Sequence, residues 1–454
     1  MKNQKIEKLN EICRVLGKKV YFVGGKVRDE LAGLKGNSDV DLTGEALGEE
    51  FAEAVKKAGL TVLATYKHTG TCLFELNGKK TEYTSFRKES YVGDSHTPAC
   101  VTFGADVNQD ALRRDFKCNA VYMNVVTGET IDPLGGMDDV KERRLTTCRL
   151  PEETFGEDGL RLLRLIRFAA ELGFTPDEKT KDGAKENARM IRGISAERVF
   201  AELTAILNAD EKYETGTPEN VYDALVLAAD TGVLKEILPE LYSGRGMPQP
   251  EEYHKYDVLT HTFKCVYYAE REIRLAALLH DAGKPYAYAT QGNFHGHEKY
   301  GEEIARSILT RLKAPKSTIE RTCRLVRLHM EDSDLLEKEN KVRQKIVDNA
   351  DIFDDLMKLK IADMKACRDE TAKSCKTAVK WVEIKKKMER EGAPFKVSDL
   401  AVNGKDLADA GYKGEEIGKK LEELFRECVI TPSMNDRDAI LKRLKRKKIK
   451  KDCR

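Results

Sequence analysis

The chain has 454 residues, 41% of them hydrophobic and 34% charged, with a net charge of +2. That length suits about three domains of ~150 residues each, and the near-neutral balance excludes a global basic field of the kind that draws nucleic acid. No apolar run approaches the ~18 residues that suggest a membrane span. The 11 scattered cysteines, none spaced C-x-x-C, fit free thiols in a reducing cytoplasm.

The N-terminus leads into an amphipathic helix without an apolar signal core. Residues 20–23 form a short apolar strand ending at Gly24-Gly25, and 26–34 follow as a helix. A Gly-Gly turn opening a helix offers backbone N–H groups to a phosphate. The next strand points Val40 and Leu42 inward and Asp39 and Asp41 outward, because side chains alternate with period two. Two carboxylates that close need a cation between them, and oxygen ligands suit Mg²⁺. These features point to phosphoryl or nucleotidyl transfer, with Asp39 and Asp41 as metal ligands and catalytic groups. Further strands are expected over 61–66, 71–76, 79–86 and 118–125. Glu82 alternates outward on its strand, where a surface glutamate is the expected role and a third acidic group of the site the alternative, and the polar segment 87–109 is expected to be a long loop.

Arg113-Arg114-Asp115 come next. The arginines supply positive charge to a triphosphate, and Asp115 is expected to orient them by bidentate pairing. From 157 onward the pattern is helical, with an apolar stripe at Leu162, Leu165, Ile166 and Ala169. Asp158 and Arg161 fall at i, i+3 on one helix face, with Arg164 and Arg167 further round. A carboxylate accepts from an exocyclic amino group and a guanidinium donates to a ring nitrogen or carbonyl. Such a pair accepts cytosine and adenine and leaves uracil and guanine with unpaired groups. An ordinary amphipathic helix with an internal salt bridge is the competing reading.

Segment 248–252 marks a boundary before a histidine-containing region. His261, His280, Asp281, His297, His329 and Asp363 recur along helical sequence, a spread that a divalent metal of unknown identity explains best. His254 and His295 stay open between extra ligands and surface residues, and His96 is assigned to a loop. Segment 376–396 reads as a charged connector. The helical tail ends in 442–451, where eight of ten residues are Lys or Arg, a candidate polyanion contact.

Several of these motifs, in order and spacing, resemble the class II tRNA nucleotidyltransferases, the CCA-adding enzymes of the polymerase-β superfamily. They are Gly24-Gly25 through Arg28-Asp29 to Asp39 and Asp41; Arg113-Arg114-Asp115-Phe116 with Asn119-Ala120; Asp132-Pro133 with Gly135-Gly136 and Asp139; Glu157-Asp158 with Arg161, Arg164 and Arg167-Phe168; and Glu197-Arg198 with Glu202-Leu203. Asn403-Gly404-Lys405-Asp406-Leu407 and Asn435 look like the tail of bacterial members. Thr154-Phe155 departs from the family's Arg-Phe. His280-Asp281 with Gly283-Lys284-Pro285 resembles the HD phosphohydrolases.

The resemblance implies an α+β fold: a small mixed α/β nucleotidyltransferase head over 1–137, then a mostly helical chain. Its parts are a neck with the nucleotide-selecting helix over 138–210, a body with the HD domain over 211–375 and a tRNA-binding tail over 376–454. It implies Mg²⁺-dependent, template-independent addition of CCA to tRNA 3′ ends from CTP and ATP, in the cytoplasm. Nucleotide binding falls to Gly24, Gly25, Arg28, Arg113, Arg114, Asp158, Arg161, Arg164 and Arg167. The HD part implies phosphatase or 2′,3′-cyclic phosphodiesterase activity. The alternatives are A-adding or poly(A) activity alone, or an HD phosphohydrolase whose N-terminal domain only binds nucleotide. The long segment 89–104 argues against CC-only addition.

Overall fold

Short runs rich in β-branched and aromatic residues fold as strands in the N-terminal part of the chain. In the computed structural model, which describes residues 2–35, 39–90, 100–369 and 374–452, these are β1 (Val20–Val23), β2 (Asp41–Gly44), β3 (Val62–Tyr66), β4 (Thr71–Leu76), β5 (Lys79–Ser85), β6 (Arg87–Ser90), β7 (Cys100–Phe103), β8 (Tyr122–Asn124) and β9 (Thr130–Ile131). Seven of them form one mixed sheet in the order β3-β4-β5-β2-β1-β8-β9. β2 and β5 pair in parallel and the other neighbours are antiparallel. The expected strand 118–125 is shorter than the pattern suggests, because Lys117–Asn119 make a 3₁₀ turn first.

Segment 87–109 is not a single loop. β6 and β7 pair antiparallel, Arg87 opposite Phe103, and a short helix follows at Val107–Leu112. The pairing is made across the intervening residues, so local polarity concealed it. Residues 91–99, including His96, lie outside the described ones.

The helices here are α1 (Lys2–Leu16), α2 (Gly25–Leu31), α3 (Gly48–Lys57), α4 (Val107–Leu112), α5 (Gly136–Lys141), α6 (Pro151–Glu157) and α7 (Leu160–Leu172). α1 and α3 cover one sheet face, burying Leu9, Ile12, Phe51 and Val55 against Leu42, Phe74 and Tyr83. The Phe51 ring lies flat on Tyr83, centroids 3.7 Å apart. Tyr21, Phe86, Ala111 and Tyr122 pack a second cluster. From α6 onward the chain is mostly helical, and the stripe Leu162, Leu165, Ile166 and Ala169 is buried as expected.

By contact the chain divides into two units, Met1–Met247 with Ser307–Pro315, and Pro248–Arg306 with Lys316–Arg454. In the second, 376–396 is not a connector. Lys376–Arg390 is a helix that buries Thr377, Trp381, Ile384 and Met388. That i, i+4, i+7, i+11 stripe is diluted in sequence by the lysines around it. The Trp381 indole N–H donates to Asp332 (2.9 Å), which also takes Lys380 (2.7 Å). The basic run 442–451 falls in the helix Arg437–Asp452, whose side chains beyond Leu444 lie outside the described ones. Among the described residues no helix is long and apolar enough to cross a membrane, and the ten described cysteines are free.

Candidate functional sites

In the head, strand register does the positioning. Val23, the last residue of β1, pairs with Asp41, and Asp41 pairs in parallel with Glu82. The β1–α2 turn, Asp41 and Glu82 therefore line up across three neighbouring strands. Gly24 has φ +71°, and a Cβ there would lie 3.4 Å from Asp41 Oδ2. The turn thus requires glycine for its backbone and brings that backbone against the carboxylate. Asp39 stands in the exposed lead-in to β2, and Asp41 and Glu82 are exposed on their strands. The Asp41 carboxyl is nonetheless pushed above the ordinary carboxylate range, first by the protein crowding it, then by Glu82 and Asp39 against the opposing pull of Arg114 and Arg164. A carboxyl raised by neighbouring carboxylates in this way fits a divalent cation. Glu82 is thus part of the acidic cluster rather than an isolated surface glutamate; the parallel pairing that joins it to Asp41 is not visible from either strand alone.

The arginines are held differently from the sequence expectation. Asp110, fully buried on α4, takes Arg113 Nε on one oxygen (2.7 Å) and Arg114 Nε and Nη2 on the other (3.2 and 3.0 Å). The Tyr122 hydroxyl donates to the same carboxylate (2.8 Å). Burial alone would raise Asp110, but Arg114 and Arg113 outweigh it and hold the carboxyl low. Asp110 lies three and four residues before the arginines, on their side of the helix; Asp115, the expected partner, points elsewhere. It accepts Arg164 (2.7 Å) and the Phe116 N–H (2.8 Å). Burial would raise its carboxyl too, yet Arg164 pulls it down to about 2. Arg28, expected against the triphosphate, is 2% exposed. Its guanidinium donates to Asp29 (2.6 and 2.9 Å), Asn119 (2.7 Å) and Tyr213 (2.8 Å). As folded it braces the head, and a phosphate would have to displace those partners.

Asp158 and Arg161 do not share a helix. α6 ends at Glu157, Asp158 is extended, and its carboxylate caps the start of α7 by accepting the Leu160 N–H (2.9 Å). The break occurs where Gly159 meets the Met190 carbonyl, 2.3 Å from where a Cβ would stand. Arg161 is buried, donating to the Thr154 carbonyl (3.1 Å) and to the Arg113 carbonyl (2.9 Å). Thr154, where the family pattern has Arg, is buried in α6. Arg149 of the same region pairs with Glu157. Arg164 and Arg167 flank the Phe168 ring, each 5.1 Å from its centre, with Arg167 on Glu202 (3.2 Å).

The six metal-ligand candidates of the second unit converge. His261 Nε2 lies 3.3 Å from His280 Nε2, 3.1 Å from Asp363 and 3.3 Å from Asp281. His297 Nε2 lies 3.2 Å from His329 Nε2 and 3.2 Å from the other Asp281 oxygen. Two triads result, His261/His280/Asp363 and Asp281/His297/His329. The Nδ1 atoms of His280, His297 and His329 sit 2.7–2.8 Å from the carbonyls of Ala277, Phe294 and Val326. Those contacts put the proton on Nδ1 and leave Nε2 lone pairs facing one another, an arrangement suited to a cation. Burial is the main cause that holds the His329 imidazole well below its ordinary range. Lys284 donates to Asp281 (2.7 Å). His254 stacks edge-on against His261 and joins it and Cys367 in a further group, whereas His295 is exposed.

Residues 20–146 match the Poly A polymerase head domain, 258–356 the HD domain, and 173–243 a segment described as a probable RNA and SrmB-binding site of polymerase A. A CCA-adding enzyme of Geobacillus sp. (strain WCH70) is 39% identical over 42% of this chain and 46% of its own length. An A-adding tRNA nucleotidyltransferase of Deinococcus radiodurans is 31% identical over 76% of each chain. The chain spans about half the length of the first curated relatives, 46% and 50%. In fold it is similar to the Bacillus stearothermophilus CCA-adding enzyme in complex with CTP, with TM-score 0.68 and 21% identity over 99% of this chain and 98% of that one. The Thermotoga maritima CCA-adding enzyme complexed with tRNA gives TM-score 0.59 and 20% identity over 97% and 93%.

Proposed function

The chain belongs to the tRNA nucleotidyltransferase family, and we propose that it adds CCA to tRNA 3′ ends from CTP and ATP without a template. The observation that carries this reading is the Arg161–Arg113 hydrogen bond (2.9 Å). It ties the segment assigned to base selection to the cluster assigned to the triphosphate, so both ends of one nucleotide are addressed together. Asp39 and Asp41, with Glu82 beside them, would hold Mg²⁺, which when bound supplies Lewis-acid activation and neutralises developing charge. Arg113 and Arg114, kept in place by Asp110, would bind the triphosphate, with Gly24 and Gly25 giving its phosphates close backbone access. Asp158 and Arg161 would read the amino and ring-nitrogen edge shared by cytosine and adenine, Arg161 by leaving the Thr154 and Arg113 carbonyls that hold it as folded, while Arg164 and Arg167 position that segment through Asp115 and Glu202. Arg28 would act as a brace. The histidine–aspartate cluster would act as a separate metal-dependent phosphohydrolase.

The test is incubation with tRNA transcripts ending before CCA, after C and after CC, each with labelled CTP or ATP. Growth of all three to CCA is the expected result. Extension of only the CC-ended transcript would instead establish A addition, the second reading, which the name and 76% coverage of the Deinococcus relative favour. No extension of any transcript would overturn both.

A further inference from the structure

We propose that His254, His261 and Cys367 form a further metal site, with a sulfur ligand, that takes a thiophilic divalent ion of the zinc class. His254 and Cys367 belong to neither triad of the histidine–aspartate cluster, whose six ligand candidates offer only nitrogen and oxygen.

The observation that points to it is an imidazole short of a partner. His280, His297 and His329 each rest Nδ1 on a backbone carbonyl at 2.7–2.8 Å. His261 does not. The residue is fully buried, its Nε2 meets His280 and Asp363, and its Nδ1 has no hydrogen-bond partner. His254 Nδ1 is buried without a partner as well. An unpaired buried polar atom costs stability, and here two of them belong to adjoining rings. The rings meet edge-on, with centroids 4.7 Å apart. One donor atom of each lies within 4.8 Å of the other and of the Cys367 sulfur. Donors around a tetrahedral ion bound at about 2.0–2.3 Å stand roughly 3.3–3.6 Å apart, a spacing that small side-chain rotations reach.

Backbone contacts tie the three residues together. His261 stands in the helix Val258–Tyr268, and Cys367 near the end of the helix Phe353–Arg368. Cys367 is i, i+4 from Asp363 and shares its face. The Lys255 N–H, next to His254, donates to the Cys367 carbonyl (2.8 Å), and the His254 N–H donates to the Pro250 carbonyl (3.0 Å).

Donor chemistry selects the ion. A thiolate with two imidazoles suits Zn²⁺, whereas Mg²⁺ and Mn²⁺ prefer oxygen. The ion takes the place of the thiol proton, which leaves to solvent. Three protein donors leave a fourth position, and His254 and Cys367 are half-buried, so water can fill it. A bound ion would give the His261 ring the second anchor that its three counterparts take from carbonyls.

The test is titration of the metal-stripped full chain with Co²⁺, followed by near-ultraviolet absorption. Only a thiolate ligand gives the sulfur-to-cobalt charge-transfer band. One equivalent of Co²⁺ should saturate that band in the wild type, Zn²⁺ should displace it, and Mg²⁺ should leave it in place. Cys367→Ser should abolish it with the fold retained by circular dichroism. His254→Ala should raise the Co²⁺ Kd read from the band at least ~10-fold. The His280→Ala/Asp281→Ala double variant should keep the band, because neither residue belongs to the site. Absence of the band in the wild type overturns the proposal. A band that survives Cys367→Ser also overturns it, since another cysteine would then be the ligand. Loss of the band in the folded double variant overturns it too, by placing the sulfur in the cluster. If Cys367→Ser does not fold, His254→Ala decides, and an unchanged Kd there overturns the site.

Discussion

In the head, Asp41 and Glu82 stand exposed on their strands with Asp39 in the exposed lead-in to β2, and the arginines near them are tied to other protein groups. In the second unit His261, His280, Asp281 and His329 are buried among helices, with three imidazoles pinned through Nδ1. The head arrangement suits a centre that a large, charged substrate completes, since carboxylates in contact with water tolerate mutual repulsion until a cation and phosphates arrive. The cluster's orienting bonds come instead from backbone carbonyls, which the helices and turns that carry them hold in place. Open carboxylates and enclosed imidazoles therefore predict different consequences of damage.

The largest expected effect lies in the head. Asp39→Ala or Asp41→Ala should cut nucleotide incorporation at least ~1,000-fold, with the melting temperature held or slightly raised, because like-charge repulsion is relieved. A labelled-nucleotide assay beside a thermal melt checks this; near-normal incorporation in either variant would break the assignment. The double change His280→Ala/Asp281→Ala should abolish release of phosphate and lower divalent-metal content by elemental analysis, with incorporation retained. Its effect on metal affinity should exceed the ~10–100-fold typical of losing a group that merely orients a ligand. If incorporation fell equally, the two sites would not be separable.

Asp110→Asn sharpens the comparison from within the head. It leaves two guanidinium groups short of a buried partner, and breaking such a pair costs about 3–5 kcal/mol. A denaturant melt should register that loss, and the KM for CTP and ATP should rise more than kcat falls. The smallest effect concerns pH. The Asp115 carboxyl sits at about 2 when folded, below its unfolded value near 3.9. The folded state thus gains about 2.6 kcal/mol from it, fully present above pH ~5 and lost as pH falls through 2. Asp115→Asn should flatten that part of the stability–pH curve; an unchanged slope would remove Arg164–Asp115 from the account.

Much of this was legible in sequence because the signals are local. The i, i+2 aspartates, the glycine turn and the stripe at Leu162, Leu165, Ile166 and Ala169 depend only on strand and helix periodicity. What failed did so for non-local reasons or through a local break. Asp115 is the expected partner because it adjoins the arginines in sequence, yet the turn after α4 sends its side chain toward Arg164. Asp158 was placed on a helix that Gly159 interrupts to let the Met190 backbone approach. The Asp110 assignment was within reach of sequence, since i, i+3 and i+4 spacing pointed to it.

By itself the sequence determined which residue types are available: paired carboxylates at strand spacing, arginines in a run, and histidines and aspartates spread over helical segments. It also determined the family, whose motifs stand in order. Only the tertiary structure decided which groups meet. The parallel β2–β5 pairing brought Glu82 to Asp41, burial enclosed the Arg28 guanidinium among Asp29, Asn119 and Tyr213, and helix packing divided six scattered ligand candidates into two triads. Covalent neighbours constrain one another through dihedral angles alone. Charge neutralisation and burial act through space, and their partners were fixed when the chain folded.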